Sequence, residues 1–251
     1  MKKLPPIIIM LLFFNISFAQ KSETELLSKY NSYIESNVEK EKWKTKYYLS
    51  NGLITIQENY YRSELRSRIE FEYDKFGNIE RKINNYNINK ENANNVSNIK
   101  LVYKDSLLIG REYSFGKTEK YSDFNELGKP KLIETEELIS LKPNTKELLM
   151  YDNVGNILKS TRFTDYQNSD ISPKPENEKS ITSYKYDDHN NVIEIHRAFE
   201  PKQKFPIQTT SGTLLYEYEY FRYEYNKKGL WTKKYKTVNG EEYLVTKRRY
   251  N

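Results

Sequence analysis

Few side chains in this chain are equipped for chemistry. The 251 residues contain two histidines, His189 and His196, and no cysteine. His189 falls in a predicted turn and His196 in the strand after it, so zinc lacks its usual set of nitrogen and sulfur donors. A nucleophilic triad centred on His196 is geometrically open, but no nucleophile elbow of the form Gly-x-Ser-x-Gly is present, which argues against a serine hydrolase. Paired carboxylates are a more economical device, because glycoside hydrolysis needs only two at a set separation. Glu134 and Glu136 lie two apart on one predicted strand face with Glu137 adjacent, while Glu241 and Glu242 follow a turn. Water-facing strand positions commonly carry such residues, so these five are read as surface. The Asp-x-x-Gly-Asn segments lack the spaced oxygen donors of a calcium loop, and Asp74, Asp152 and Asp187 are read as turn formers. No catalytic, cofactor-binding or metal-ligating residue is assigned, and no cofactor is expected. What remains is aromatic. Among 23 Tyr and 11 Phe, the run Tyr216, Tyr218, Tyr220 is the candidate binding face.

Those tyrosines need strands to hold them. In 68–74, Ile69, Phe71 and Tyr73 share one face and Arg68, Glu70 and Glu72 the other, the period of a half-buried strand. Phe221, Tyr223 and Tyr225 repeat the pattern against Arg222 and Glu224. Tyr216, Tyr218 and Tyr220 have the opposite parity, which implies either a bulge near Tyr220 and Phe221 or a strand with aromatic residues on both faces. The turns speak more clearly. Asp74 to Gly77, Asn125 to Gly128, Asp152 to Gly155, Asp187 to Asn190 and Asn226 to Gly229 each place Asx three residues before Gly or Asn, directly after Tyr73, Phe124, Tyr151, Tyr186 or Tyr225. An Asx side chain can accept bonds from turn amides, and a type I turn followed by a left-handed residue makes a bulged hairpin. Asn51-Gly52 and Asn239-Gly240 add two-residue turns. At least seven hairpins follow, joined in places by polar connections at 84–98, 168–179 and 200–212. The five turns begin 51, 27, 35 and 39 residues apart, which excludes a solenoid of strict period.

The N-terminal end reads differently. Lys2 and Lys3, an apolar run from Ile7 to Phe14, and Ser17, Phe18, Ala19 before Gln20 form the three-part pattern of a secretory signal peptide cleaved after Ala19. The run is shorter than the roughly 20 apolar residues of a membrane helix. With Gln20 after the cut and no cysteine, a thioether-linked lipid anchor is ruled out. Export to the periplasm or beyond is expected, without disulfides to staple the fold. Ser22 to Glu25 has capping-box spacing, and Leu27, Tyr30, Ile34 and Val38 form one apolar stripe, predicting an amphipathic helix over 23–40. Removing the leader leaves 39 basic against 35 acidic residues. Nucleic-acid binding requires clustered positive charge, and the one clear cluster, Lys247, Arg248 and Arg249, reads as a solvated strand end. A mean hydropathy of -0.89 beside 14% aromatic residues suits a thin sheet with half-covered faces. An outer-membrane barrel would need a wholly apolar face, whereas these strands carry charge on one face and Thr, Ser or Lys among the other.

Phe71-Glu72-Tyr73-Asp74-Lys75-Phe76-Gly77-Asn78-Ile79, Tyr151 to Ile157 and Tyr184 to Val192 resemble the YD repeats of the Rhs type, discontinuously over 65–235. In large members of that family such repeats wind into a hairpin shell around a toxic cargo. Here the residue after Gly is Asn, Lys or Leu where the family often has Arg, and no Asp-Pro-x-Gly core signature occurs. The resemblance implies the hairpin fold and not toxin delivery.

The expected organisation is therefore mainly β. It comprises a signal peptide at 1–19, a helical segment at 20–46, and at 47–251 an open curved antiparallel sheet of consecutive YD-like hairpins. The expected function is a non-enzymatic, exported binding or structural protein taking a glycan or an envelope protein. The alternatives are a carboxylate-based hydrolase of envelope polymers and an immunity-like partner of an Rhs-type system.

Overall fold

The computed structural model describes residues 23–38, 42–85, 94–137, 143–166, 176–209 and 212–251. The expected signal peptide, its cleavage after Ala19 and the cap residue Ser22 lie outside them. One helix, 23–27, precedes the strands. These are β1 (Ser32–Asn37), β2 (Trp43–Ser50), β3 (Leu53–Tyr61), β4 (Glu64–Tyr73), β5 (Ile79–Asn85) and β6 (Asn94–Lys104). Next come β7 (Leu107–Tyr113), β8 (Lys117–Phe124), β9 (Pro130–Glu137), β10 (Asn144–Tyr151), β11 (Ile157–Asp165) and β12 (Glu178–Tyr186). The last are β13 (Val192–Glu200), the two-residue pair β14 (Ile207–Gln208) and β15 (Leu214–Leu215), β16 (Tyr218–Tyr225), β17 (Trp231–Val238) and β18 (Glu241–Tyr250).

The sheet does not stay open. Every strand except β14 and β15 joins one antiparallel closed barrel, in the order β1, β18, β17, β16, β13 and then β12 back through β2. Closure falls to the segment expected to be helical. β1 pairs with β18, Tyr33 opposite Tyr250, and with β2, Tyr33 opposite Tyr47. Asn31, Ser32, Tyr33, Ile34, Ser36 and Asn37 are all indifferent helix formers, and pairing on both sides satisfies every backbone group that a short exposed helix would leave partly wet. The helix therefore ends after one turn, with the Ser28 hydroxyl donating to the Glu25 carbonyl at 2.7 Å.

Two compact units make up the chain: 100–219, and 20–99 with 220–251. In the first, Tyr121, Ile133, Leu149 and Ile157 form the buried cluster, with Leu108, Phe124, Tyr151 and Tyr184 packed against it. In the second, Leu27, Tyr33 and Leu230 are buried beneath Tyr30, Tyr47, Leu49 and Tyr250.

All five Asx turns are built alike. The Asp74 Oδ1 accepts from the Phe76 and Asn78 amides at 2.9 and 2.8 Å, and Gly77 N donates to the Asp74 carbonyl at 3.1 Å. Asn125, Asp152, Asp187 and Asn226 accept from the amides two and four residues on in the same way. Gly77, Gly128, Gly155, Asn190 and Gly229 take the left-handed position, with φ between 62° and 93°. At four of these turns the register slips just before the aromatic residue: at Tyr73, Tyr151, Tyr186 and Tyr225.

The aromatic residue has its own task. Tyr73 donates its hydroxyl to the Ile54 carbonyl at 2.6 Å, Tyr151 to Pro130 at 2.7 Å and Tyr186 to Ile157 at 2.8 Å. Each acceptor is the first or second residue of the return strand of an earlier hairpin, so each repeat is tied to its neighbour. The residue after the turn laces further. Lys129 Nζ reaches the Gly155 carbonyl at 2.6 Å, and Asn156 Nδ2 donates to Asp152 and, at 2.9 Å, to Asn190.

This lacing separates two glycines of one type. A Cβ on Gly77 would meet nothing within 4 Å, so Gly77→Ala carries only the left-handed backbone cost of about 1–2 kcal/mol. A Cβ on Gly155 would lie 2.1 Å from Lys129 Nζ and displace it from the carbonyl. Gly155→Ala should lose about 1–3 kcal/mol more, the worth of a charged hydrogen bond. Urea unfolding of both variants measures the difference, and equal losses would show that the lysine contact contributes nothing.

Candidate functional site

β16 carries most of the expected binding face. No bulge separates Tyr220 from Phe221: Tyr220 faces Thr237 and Phe221 faces Lys236 in unbroken register, and the slip comes later, between Glu224 and Tyr225. The strand therefore has aromatic residues on both sides. Tyr218 is 47% exposed and Tyr220 44%, whereas Glu219 between them is buried. Tyr216, before the strand, is half-buried, and its carbonyl accepts from Arg197 Nη1 at 3.0 Å. Arg197 also pairs with Glu219 at 2.5 Å. Tyr218 stacks on His196, with ring centroids 4.3 Å apart and planes 10° from parallel. His196 thus serves as a ring support. His189 sits in the Asp187 turn, where its amide donates to the Asp187 carboxylate at 3.0 Å.

The carboxylates expected at the surface are engaged there. Glu136 pairs with Lys120 at 3.1 Å and Glu134 with Lys146 at 3.5 Å. Glu242 receives two bonds from Arg222, and Glu241 accepts from the Tyr243 hydroxyl.

Sequence reasoning missed the charges that point inward. Lys117 and Glu119 are both buried on β8 and form an ion pair, while Tyr121 and Tyr113 donate their hydroxyls to Glu119 at 2.5 and 3.2 Å. Burial first, and the adjacent carboxylate in the same sense, hold the Tyr121 hydroxyl well above its ordinary pKa, so it remains the donor. Period two was the available signal, since Lys117 and Glu119 share the face of Tyr121, which is buried. Glu58 is similarly buried under the Tyr48 and Tyr60 hydroxyls and Arg68. In the second unit the cluster read as a solvated strand end is corrected in its middle member. Lys247 and Arg249 are exposed, but Arg248 turns in, its side chain only 12% exposed. It bonds Glu35 at 2.7 Å and Glu23 at 2.6 Å, with its guanidinium 3.7 Å from the centre of the Trp231 ring.

A cleft of about 380 Å³ opens where β11 and β13 end and β12 begins, lined by Phe163, Thr164, Asp165, Asn177, Glu178, Lys179, Glu200 and Pro201. Parts of the connections expected at 168–179 and 200–212 form its wall, with Glu178 and Lys179 already inside β12.

No family model and no curated protein matches the chain. Among solved structures, it is similar to a chain of the TcdB2-TccC3-Cdc42 complex at 18% identity and a TM-score of 0.34, over 81% of this chain but only 10% of that one. It is also similar to a porin-like protein from Bacteroides uniformis at 8% identity and a TM-score of 0.39, over 90% of this chain and 98% of that one.

Proposed function

We propose that this chain is an exported, non-enzymatic binding protein of YD-like hairpins that takes its ligand on an exposed aromatic sheet face. The observation that supports this reading is Tyr218: a large ring, nearly half exposed, held flat by His196 rather than buried. Such a ring offers apolar area with a polar rim, which matches the C–H faces and hydroxyl edges of a glycan. The test is a glycan array and a pull-down with residues 20–251. Tyr218→Ser should weaken binding about tenfold, the order expected for one lost aromatic contact, with an unchanged circular dichroism spectrum. Undiminished binding would remove Tyr218 from the site.

One observation favours a second reading, a carboxylate-based hydrolase: Asp165, Glu178 and Glu200 line one cleft. Glu178 accepts from Gln203 at 2.7 Å and Glu200 from Lys179 at 3.0 Å, which suits fixed hydrogen-bond acceptors better than a mobile acid and base. Release of reducing ends from an envelope polysaccharide, abolished by Glu178→Gln, would establish this reading instead.

A further inference from the structure

We infer that the cleft at the ends of β11, β12 and β13 is a separate sugar-binding subsite, which receives one uncharged pyranose unit against the ring of Phe163. The inference begins with an aromatic residue set in a charged cross-strand row. Across β8, β9, β10, β11 and β12, cross-strand partners on the exposed face run Lys120, Glu134, Lys146, Phe163, Lys179. The lysines of this row are ion-paired: Lys120 to Glu136, Lys146 to Glu134 and Lys179 to Glu200. Phe163 alone interrupts it, 39% exposed between two lysines. The exposed part of the ring gains nothing for folding, and a carboxylate there would have completed the charge alternation.

The surroundings fit a hydroxyl-rich ligand. The cleft volume lies within the range of small-ligand sites, about 300–1,000 Å³, and its rim holds a primary ammonium, a carboxamide, a hydroxyl and three carboxylates. Several are fixed in place before any ligand arrives. Gln203 holds Glu178, Lys179 holds Glu200 through both carboxylate oxygens, and the Asn177 side-chain Oδ1 accepts from the Tyr166 amide at 3.1 Å. Preorganised acceptors spare a ligand the cost of ordering them. The described carboxylates do not converge in a group able to hold a metal ion. Three carboxylates against Lys179 make the cleft negative, which selects against uronate and sulfated sugars, while the phenyl ring offers a stacking face for axial C–H groups.

The site shares no residue with the Tyr218 face, and one experiment separates the two. Residues 20–251 are titrated by calorimetry with the hexasaccharides of β-1,4-linked glucose and of β-1,4-linked N-acetylglucosamine, with a sulfated hexasaccharide and with a lysine-rich peptide. The expected result is a component of neutral-hexasaccharide binding that Phe163→Ala weakens about tenfold, as for one lost ring contact, and that Tyr218→Ser leaves unchanged whatever it does to binding at its own face, with the melting temperature of Phe163→Ala unaltered. Equal binding by Phe163→Ala and the parent, preference for the sulfated sugar or the peptide, or no binding of either neutral hexasaccharide would each overturn the subsite. Loss in Tyr218→Ser with Phe163→Ala intact would overturn it while supporting the Tyr218 face.

Discussion

Glu119→Ala should be among the most damaging single substitutions in the chain, lowering stability by about 3–5 kcal/mol as measured by urea unfolding. The carboxylate has no solvent exposure and receives Lys117, Tyr113 and Tyr121. Its removal strands an ammonium whose side chain is only 6% exposed, and it leaves two hydroxyls without their acceptor. The penalty comes from the orphaned charge more than from the lost attraction, because desolvation of each ion offsets most of the gain from pairing. That argument makes a second variant decisive. Lys117→Met combined with Glu119→Leu removes both charges and keeps the volume, and it should recover most of the loss. If the double variant is as unstable as Glu119→Ala, the cost lies in packing, in the tyrosine hydroxyls or in Arg111, the cross-strand neighbour of Glu119, and the argument from the stranded Lys117 fails.

Arg248→Met should rank beside it, at about 3–5 kcal/mol for a buried pair broken on one side, with a local signature as well. Arg248 is the point where β18, β1 and the helix meet. It bonds Glu35 and Glu23, and its guanidinium lies over the Trp231 ring and 4.8 Å from the centre of the Tyr33 ring. Without it, two carboxylates lose their partner and the closing strand loses its anchor. Amide hydrogen exchange should therefore accelerate in β1 more than in β10 or β11. Lys247→Ala, one residue away on the exposed face, should stay within about 0.5 kcal/mol of the parent. Uniform acceleration across the barrel would show that Arg248 contributes to global stability without anchoring β1.

How much of this was legible depends on the range of the interaction concerned. The Asx turns were readable because each is complete within five residues: an acceptor side chain, two amides and one left-handed position. Among the turns that escaped notice, the one closed by Gly116 has no Asx at its first position, and two others use no glycine. Arg62-Ser63 and Asp105-Ser106 adopt positive φ at both residues, a conformation to which Asp105 alone of the four is suited and which the flanking strands impose on the others. The candidate binding face was half legible. Alternation placed Tyr218 and Tyr220 on one side, but the flat support from His196 joins two strands separated by the excursion through β14 and β15. The cleft around Phe163 was not legible at all, since its walls come from three strands and its polar groups are ordinary surface residues taken singly.

Sequence alone determined the hairpin unit, its turn chemistry and the strand period, because each is settled by neighbours a few residues apart, where steric limits on φ and side-chain hydrogen bonds act directly. Tertiary structure decided closure. The stripe of Leu27, Tyr30, Ile34 and Val38 suits a helix by spacing, yet Ile34 lies in a strand because β2 and β18 both offer it an open edge, and β18 is more than 200 residues away, as the 213-residue separation of Glu35 from Arg248 shows. Local preferences of a few tenths of a kcal/mol per residue cannot compete with two rows of backbone hydrogen bonds and a buried ion pair, and no periodicity in the chain records which distant edges will meet.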